Sequence, residues 1–210
     1  MIYKKERNET AAYMRRLYDK DLTTCSGGNI SFRPTEDRVL ITASSIDKAY
    51  LRAKDIAVLT LEGENLTPAL KTSIETQMHL AIFRNRPDVL AIVHAHPLHA
   101  SLFTASQKKI KTGILAEARF MLGEPVLAPY ALMGTDSLAE IVGGTFKDKS
   151  VSVVLMENHG IITVGRNLHQ AYDRMEVLEA AARMTILGEL LGDVKSLSDE
   201  RRAAIDGMHQ

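Results

Sequence analysis

The stretch "AIVHAHPLHA", residues 91–100, decides how this chain is read. It opens as a buried β-strand and then places His94, His96 and His99 within six positions. Strand side chains alternate between faces, so His94 and His96 point one way and Ala95 the other. Two imidazoles about 7 Å apart along one strand face are close enough to grip a single ion. A lone histidine on an apolar strand is ordinarily a hydrogen-bonded core residue. Two side by side would leave a dry core with two polar rings to satisfy. His99 falls past Pro97 and off the strand's period, which places it outside the pair.

Working outward, "SIETQMHLAIFR", residues 73–84, carries apolar positions on a helical stripe that Pro87 closes, so a helix precedes the histidine strand. Upstream, residues 6–20 have helical spacing, and "ISFRP", "RVLITAS" and "DIAVLTLEGENL" read as strands, with "EGEN" as a hairpin turn signal between two of them. Downstream, helices are expected over residues 97–106, 135–146 and 167–192, and a short strand over 125–129. "VSVVLMENHGIITVG" reads as two strands meeting at a turn of Asn158, His159 and Gly160. The tail "DVKSLSDERRAAIDGMHQ" is polar and is expected to fray or to fold over a partner subunit. No repeat or linker interrupts the chain. The pattern implies one α/β domain over residues 1–210, three-layer α/β/α, with a central mixed, mostly antiparallel sheet.

Composition narrows the class of function. The 210 residues hold 26 basic and 26 acidic side chains, and the pI is near 7.1, a balance that argues against an electrostatic footprint for nucleic acid or a membrane surface. Cys25 is the only cysteine, which excludes an internal disulfide and fits a reducing compartment. The N-terminal stretch has no apolar signal core and no apolar run approaches about 18 residues. The expected location is cytoplasmic, without a membrane anchor.

A catalytic zinc site takes three protein ligands and keeps one position open, and neutral imidazole is its commonest nitrogen donor. His94 and His96 supply two. His159, at a turn between strands with Gly160 easing the backbone, is the third candidate. Glu75, just after "KTS", is placed either to ligate or to act as a general acid/base beside a divalent ion. An acidic residue at a helix start is also favoured by the helix dipole alone, and the sequence leaves both roles open. "CSGGNIS" (25–31), "TASS" (42–45) and "KTS" (71–73) put glycines, an amide, hydroxyls and a lysine in loops, a composition suited to an anion or to ordinary turns. Walker, dinucleotide-binding and nucleophile-elbow motifs are absent.

Taken in order, "SGGN", the Thr-x-Ser loop, a Ser-containing loop ending in Glu, I-V-H-x-H, "APYALMGT" and "NHG" resemble the class II aldolase/adducin family, over residues 26–191. Single motifs are weak, but the ordered set is specific. The resemblance implies zinc, or another divalent metal, held by His94, His96 and His159, with Glu75 as the catalytic acid/base. It implies a small phosphorylated sugar as substrate, its phosphate held by Gly28, Asn29, Ser44, Ser45, Thr72 and Ser73. It also implies a homotetramer with active sites at subunit interfaces. The family's aldolases carry Glu where this chain has Glu75 and its epimerase carries Asp, which implies retro-aldol cleavage. The substrate implied is an L-fuculose 1-phosphate-like ketose 1-phosphate, and the products are dihydroxyacetone phosphate and an aldehyde.

Three positions depart from the family pattern. Ile74 stands where a small polar residue precedes the catalytic Glu. "TASS" lacks the glycine of the second phosphate loop. The tyrosine that donates a proton in the aldolase falls near Leu115, leaving Glu117 or a water for that role. A 4-epimerase, a methylthioribulose-1-phosphate-type dehydratase, a decarboxylase and a non-catalytic adducin-like scaffold are the alternatives. Retention of the three histidines and Glu75 speaks against the scaffold.

Overall fold

Along the central strand β4 (Ala91–Ala95) side chains sort by parity. Ala91, Val93 and Ala95 join one buried apolar cluster and Ile92 joins another on the opposite face. Both faces are covered, which is why the strand reads as a continuous apolar run rather than an alternation. Burying Ile92 and Val93 stabilises this placement by about 2 kcal/mol each. His94 shares the face of Ile92, and its position follows from that register.

The computed structural model describes residues 2–209. Around β4 lie β1 (Asn29–Thr35), β2 (Arg38–Thr42), β3 (Ile56–Thr60), β5 (Val126–Ala128), β6 (Val153–Met156) and β7 (Gly160–Gly165), in the order β3-β2-β1-β4-β7-β6-β5. Every neighbouring pair is antiparallel except β5 with β6. One face is covered by α1 (Lys4–Asp19), α3 (Leu98–Thr104), α4 (Ala116–Leu122) and α6 (Leu168–Leu191). The other is covered by α2 (Thr76–Asn85) and α5 (Asp136–Thr145). The three-layer mixed sheet is therefore the expected one. In α6 the buried positions Leu168, Ala171, Tyr172, Met175, Leu178, Ala182 and Thr185 recur at helical spacing; Asn167 caps the start and Gly192, in the left-handed region, closes the end.

Two expectations are corrected. "EGEN" does make a turn, with Gly63 at positive φ and Thr60 N–H donating to Glu64 O. The return segment, however, forms only an isolated bridge between Leu59 and Asn65. The Thr67 hydroxyl takes over the Val58 N–H, and Pro68 has no N–H to extend a ladder. The polar tail does not fray over the described residues. Ser198 caps a short helix α7 (Asp199–Asp206), Leu197 N–H bonds to Gly113 O at 2.8 Å, and Arg119 on α4 makes a two-pronged contact with Asp206 at 2.7 and 2.6 Å. Among the described residues no helix is long and apolar enough to cross a membrane.

Candidate metal centre and active site

Three elements converge at one end of the sheet. His94 lies in β4, opposite Asn29 of β1 on one side and Ile162 of β7 on the other. His96 follows one residue past the end of β4, where its N–H bonds to Leu22 O. His159 stands in the turn between β6 and β7, beside Asn158, whose left-handed backbone (φ 52) suits an asparagine. Ligand atoms of the three rings all fall within 4.8 Å of one another. The rings are closer than the strand repeat alone predicts: the His94 and His96 centroids are 4.6 Å apart, edge to face, and His94 and His159 are 5.1 Å apart. His99 is turned away, bonded through Nδ1 to Glu179 Oε1 at 2.6 Å, as its position past Pro97 implied.

His94 is fully buried, and its Nδ1 lies 3.0 Å from Ile161 O. A carbonyl only accepts, so Nδ1 carries the hydrogen and Nε2 is left with its lone pair, the tautomer of a metal ligand. His94 Nε2 and His159 Nδ1 have no hydrogen-bond partner. Unpartnered buried polar atoms are costly, so two on neighbouring imidazoles are an argument for an ion. A cluster of three nitrogen donors with an open side fits a divalent metal of the zinc type.

Glu75 is 6% exposed and occupies the N-cap position of α2. A role at the helix start alone would turn its carboxylate to the helix N–H groups, but it makes no cap hydrogen bond. Oε1 instead lies 2.8 Å from His159 Nε2, and Oε2 lies 3.1 Å from His94 Nε2 and 2.8 Å from Asn29 Nδ2. Burial pushes this carboxyl up, but His94 and the contacts with His159 and Asn29 outweigh it and hold Glu75 well below the usual carboxylate range. Burial alone would push His94 down, and the neighbouring Glu75 carboxylate raises it above its ordinary value. Burial, reinforced by the other two imidazoles, pushes His96 down to about 3, which leaves it neutral and able to ligate.

These groups line a cavity of about 440 Å³, a size in the range of small-ligand pockets. Gly28, Asn29, Ser44, Ser45 and Ser73 line it too, while Thr72 sits beside it, bridged through its backbone to Ala43. Asn29 spends both amide hydrogens within the protein, on Glu75 and on Ser73 Oγ. Ser45 holds φ 60, so the left-handed turn that a glycine would make is kept by a serine, at a cost of about 1 kcal/mol. Lys48 also lines the cavity and was not singled out from the sequence, where a lone loop lysine three residues past "TASS" carries no mark of burial.

Gly160 shows how closely the site is packed. A Cβ there would lie 2.6 Å from His96 Cδ2 and 2.9 Å from Ala95 O. Backbone cannot retreat, so the imidazole must. Gly160→Ala should lower metal affinity at least about tenfold, in keeping with the loss seen when ligand orientation is disturbed. Titration with a competing chelator reads this directly, and unchanged affinity would show that His96 has room to spare.

Residues 8–186 match the Class II Aldolase and Adducin N-terminal domain, which is most of the chain. The chain belongs to the class II aldolase and adducin family. It is 33% identical over 173 residues to an L-fuculose phosphate aldolase of Methanococcus maripaludis, covering 82% of this chain and 92% of that one. It is 30% identical over 201 residues to a 5-deoxy-D-ribulose 1-phosphate aldolase of Bacillus thuringiensis serovar kurstaki, covering 95% and 93%. The solved structure of an L-fuculose 1-phosphate aldolase superposes with a TM-score of 0.89 at 28% identity, covering 100% of this chain and 98% of that one. Against this class II aldolase frame, Ile74 is 55% exposed at the cavity rim, and the cavity has no tyrosine among its lining residues. Glu117 is exposed in the first turn of α4 and is not part of the lining either.

Proposed function

We propose that the protein is a zinc-dependent class II aldolase that cleaves a ketose 1-phosphate of the L-fuculose 1-phosphate kind into dihydroxyacetone phosphate and an aldehyde. The observation that carries this reading is the buried Glu75 carboxylate lying against two of three clustered histidines in a cavity of sugar-phosphate size. His94, His96 and His159 would hold the metal. When bound, the ion would supply positive charge that polarises the substrate carbonyl.

The rest of the chemistry falls to Glu75, the only carboxylate in the cavity lining among the described residues. Held ionised, it takes the proton from the C4 hydroxyl. The C3–C4 bond then breaks, C4 becomes the aldehyde carbonyl, and the electron pair left at C3 takes the same proton back from Glu75. One carboxylate serving both ends of a single proton transfer leaves the balance closed, and no tyrosine is needed in this chain. Asn29 aims Glu75 by bonding Oε2, and Ser73 in turn bonds Asn29, so the acid/base group is positioned by residues of β1 and of the loop before α2.

The test is release of dihydroxyacetone phosphate from a panel of ketose 1-phosphates by zinc-loaded protein, with a chelator-treated control. Metal-dependent release is the expected result. A panel left intact by metal-bearing protein would overturn the aldolase reading and move the chain to the decarboxylase, dehydratase or epimerase branch.

A further inference from the structure

Lys48 is 2% exposed, and no carboxylate lies within ion-pair distance of it among the described residues. Its Nζ has one long contact, 3.4 Å to Ala43 O. An ammonium has three N–H donors, so most of its hydrogen-bonding capacity is unspent. Buried cations are ordinarily paired, because leaving water without a partner costs several kcal/mol. Burial accordingly pushes the Lys48 ammonium below its ordinary pKa, with no acidic neighbour to offset the effect. The residue is nonetheless held firmly. Its backbone N–H bonds to Cys25 O at 2.9 Å, tying it to the loop that carries Gly28, and Ser44 N–H bonds to Lys71 O at 2.8 Å, tying its loop to the one before Glu75. Three loops distant in sequence close around one cavity, and Lys48 is the only lysine or arginine lining it among the described residues. The neutral donors are partly committed elsewhere, since both Asn29 amide hydrogens are spent.

We propose that Lys48 is the residue by which this site recognises its anion: its ammonium, resting against the Ala43 carbonyl, pairs with the dianionic phosphate of the substrate and makes the site selective for phosphorylated ligands. This deepens the reading of the cavity as a sugar-phosphate site and rests on it. The pairing supplies the charge that a cradle of hydroxyls and N–H groups lacks, and it gives a buried lysine the counter-ion that the protein itself withholds.

Calorimetric titration of zinc-loaded wild type and Lys48→Met with inorganic phosphate and with dihydroxyacetone phosphate tests the assignment. Methionine keeps the apolar stem and removes the charge. Affinity for both ligands should fall about 10- to 100-fold, the range of a charge-assisted hydrogen bond, with metal content unchanged. If the aldolase reaction is found, KM for the ketose 1-phosphate should rise with kcat little altered. Wild-type affinity in Lys48→Met would overturn the proposal. Should that variant not fold, wild-type protein labelled at lysine Cε decides: one lysine signal that titrates below the rest must move to higher pH on saturation with phosphate, and no responsive signal sinks the idea. Loss of phosphate affinity in Lys48→Met together with an inert sugar panel would leave the Lys48 assignment standing and remove only the aldolase.

Discussion

Glu75→Gln should lower turnover by about 10³-fold and leave the metal in place. The magnitude is that of a positioned general acid/base, and in the proposed mechanism one group handles the proton at both O4 and C3. Glutamine keeps the shape and still offers an oxygen to Asn29 Nδ2, which now holds Glu75 Oε2 at 2.8 Å. It offers no site for a proton, so C4–OH cannot be deprotonated by it. The fold should persist, because glutamine keeps the volume of the side chain and its contact with Asn29. Metal content and kcat measured on the same preparation separate the possibilities. Full activity would remove Glu75 from the mechanism. Loss of metal alongside activity would make Glu75 a ligand rather than the proton carrier.

The histidine cluster was legible because it rests on local rules. Strand alternation puts His94 and His96 on one side whatever the rest of the chain does, and a turn next to Gly160 projects His159 from a strand end. Glu75 was half legible. Its place before an apolar helical stripe has two explanations in sequence, and only the direction of the carboxylate, away from the N–H groups of α2 and into the cavity, distinguishes them. Lys48 was not legible at all, since its burial arises from the closure of loops at residues 25–28, 42–48 and 71–75 that no short window contains. The same limit hid α7. That helix buries none of its residues and shows no apolar stripe; it is held by the Ser198 cap and by Arg119 reaching Asp206 from 87 positions away.

What the local rules missed and what they caught meet in one chain of contacts. Register places Asn29 of β1 directly across from His94 of β4. The same asparagine holds Glu75, and Glu75 lies against His94 and His159. Sheet pairing thus fixes Glu75 relative to the histidine cluster through a single amide, so a disturbance at any one member reaches the others.

His94→Ala tests that dependence at its centre. The protein should lose its metal on dialysis and all activity with it, while remaining folded. Among the three histidines, His94 is the fully buried one, and its Nε2 is orphaned in the absence of an ion. Truncation leaves two donors, too few for a catalytic zinc site, which needs three protein ligands. Stability should fall by about 1–3 kcal/mol, because the ring leaves a cavity and the Ile161 carbonyl loses a hydrogen-bond donor. The orphaned atoms that cost stability in the metal-free wild type work the other way, since His94→Ala removes one of them. The metal-free variant should therefore lie closer to metal-free wild type than to the metal-bound protein. Atomic-emission metal analysis and thermal unfolding with and without added zinc read both effects. Wild type should be stabilised by zinc and His94→Ala should not, as mass action requires of an ion that binds only the folded state. Zinc stabilisation of equal size in the two proteins would place the ion elsewhere and dissolve the link between the histidine strand and the chemistry.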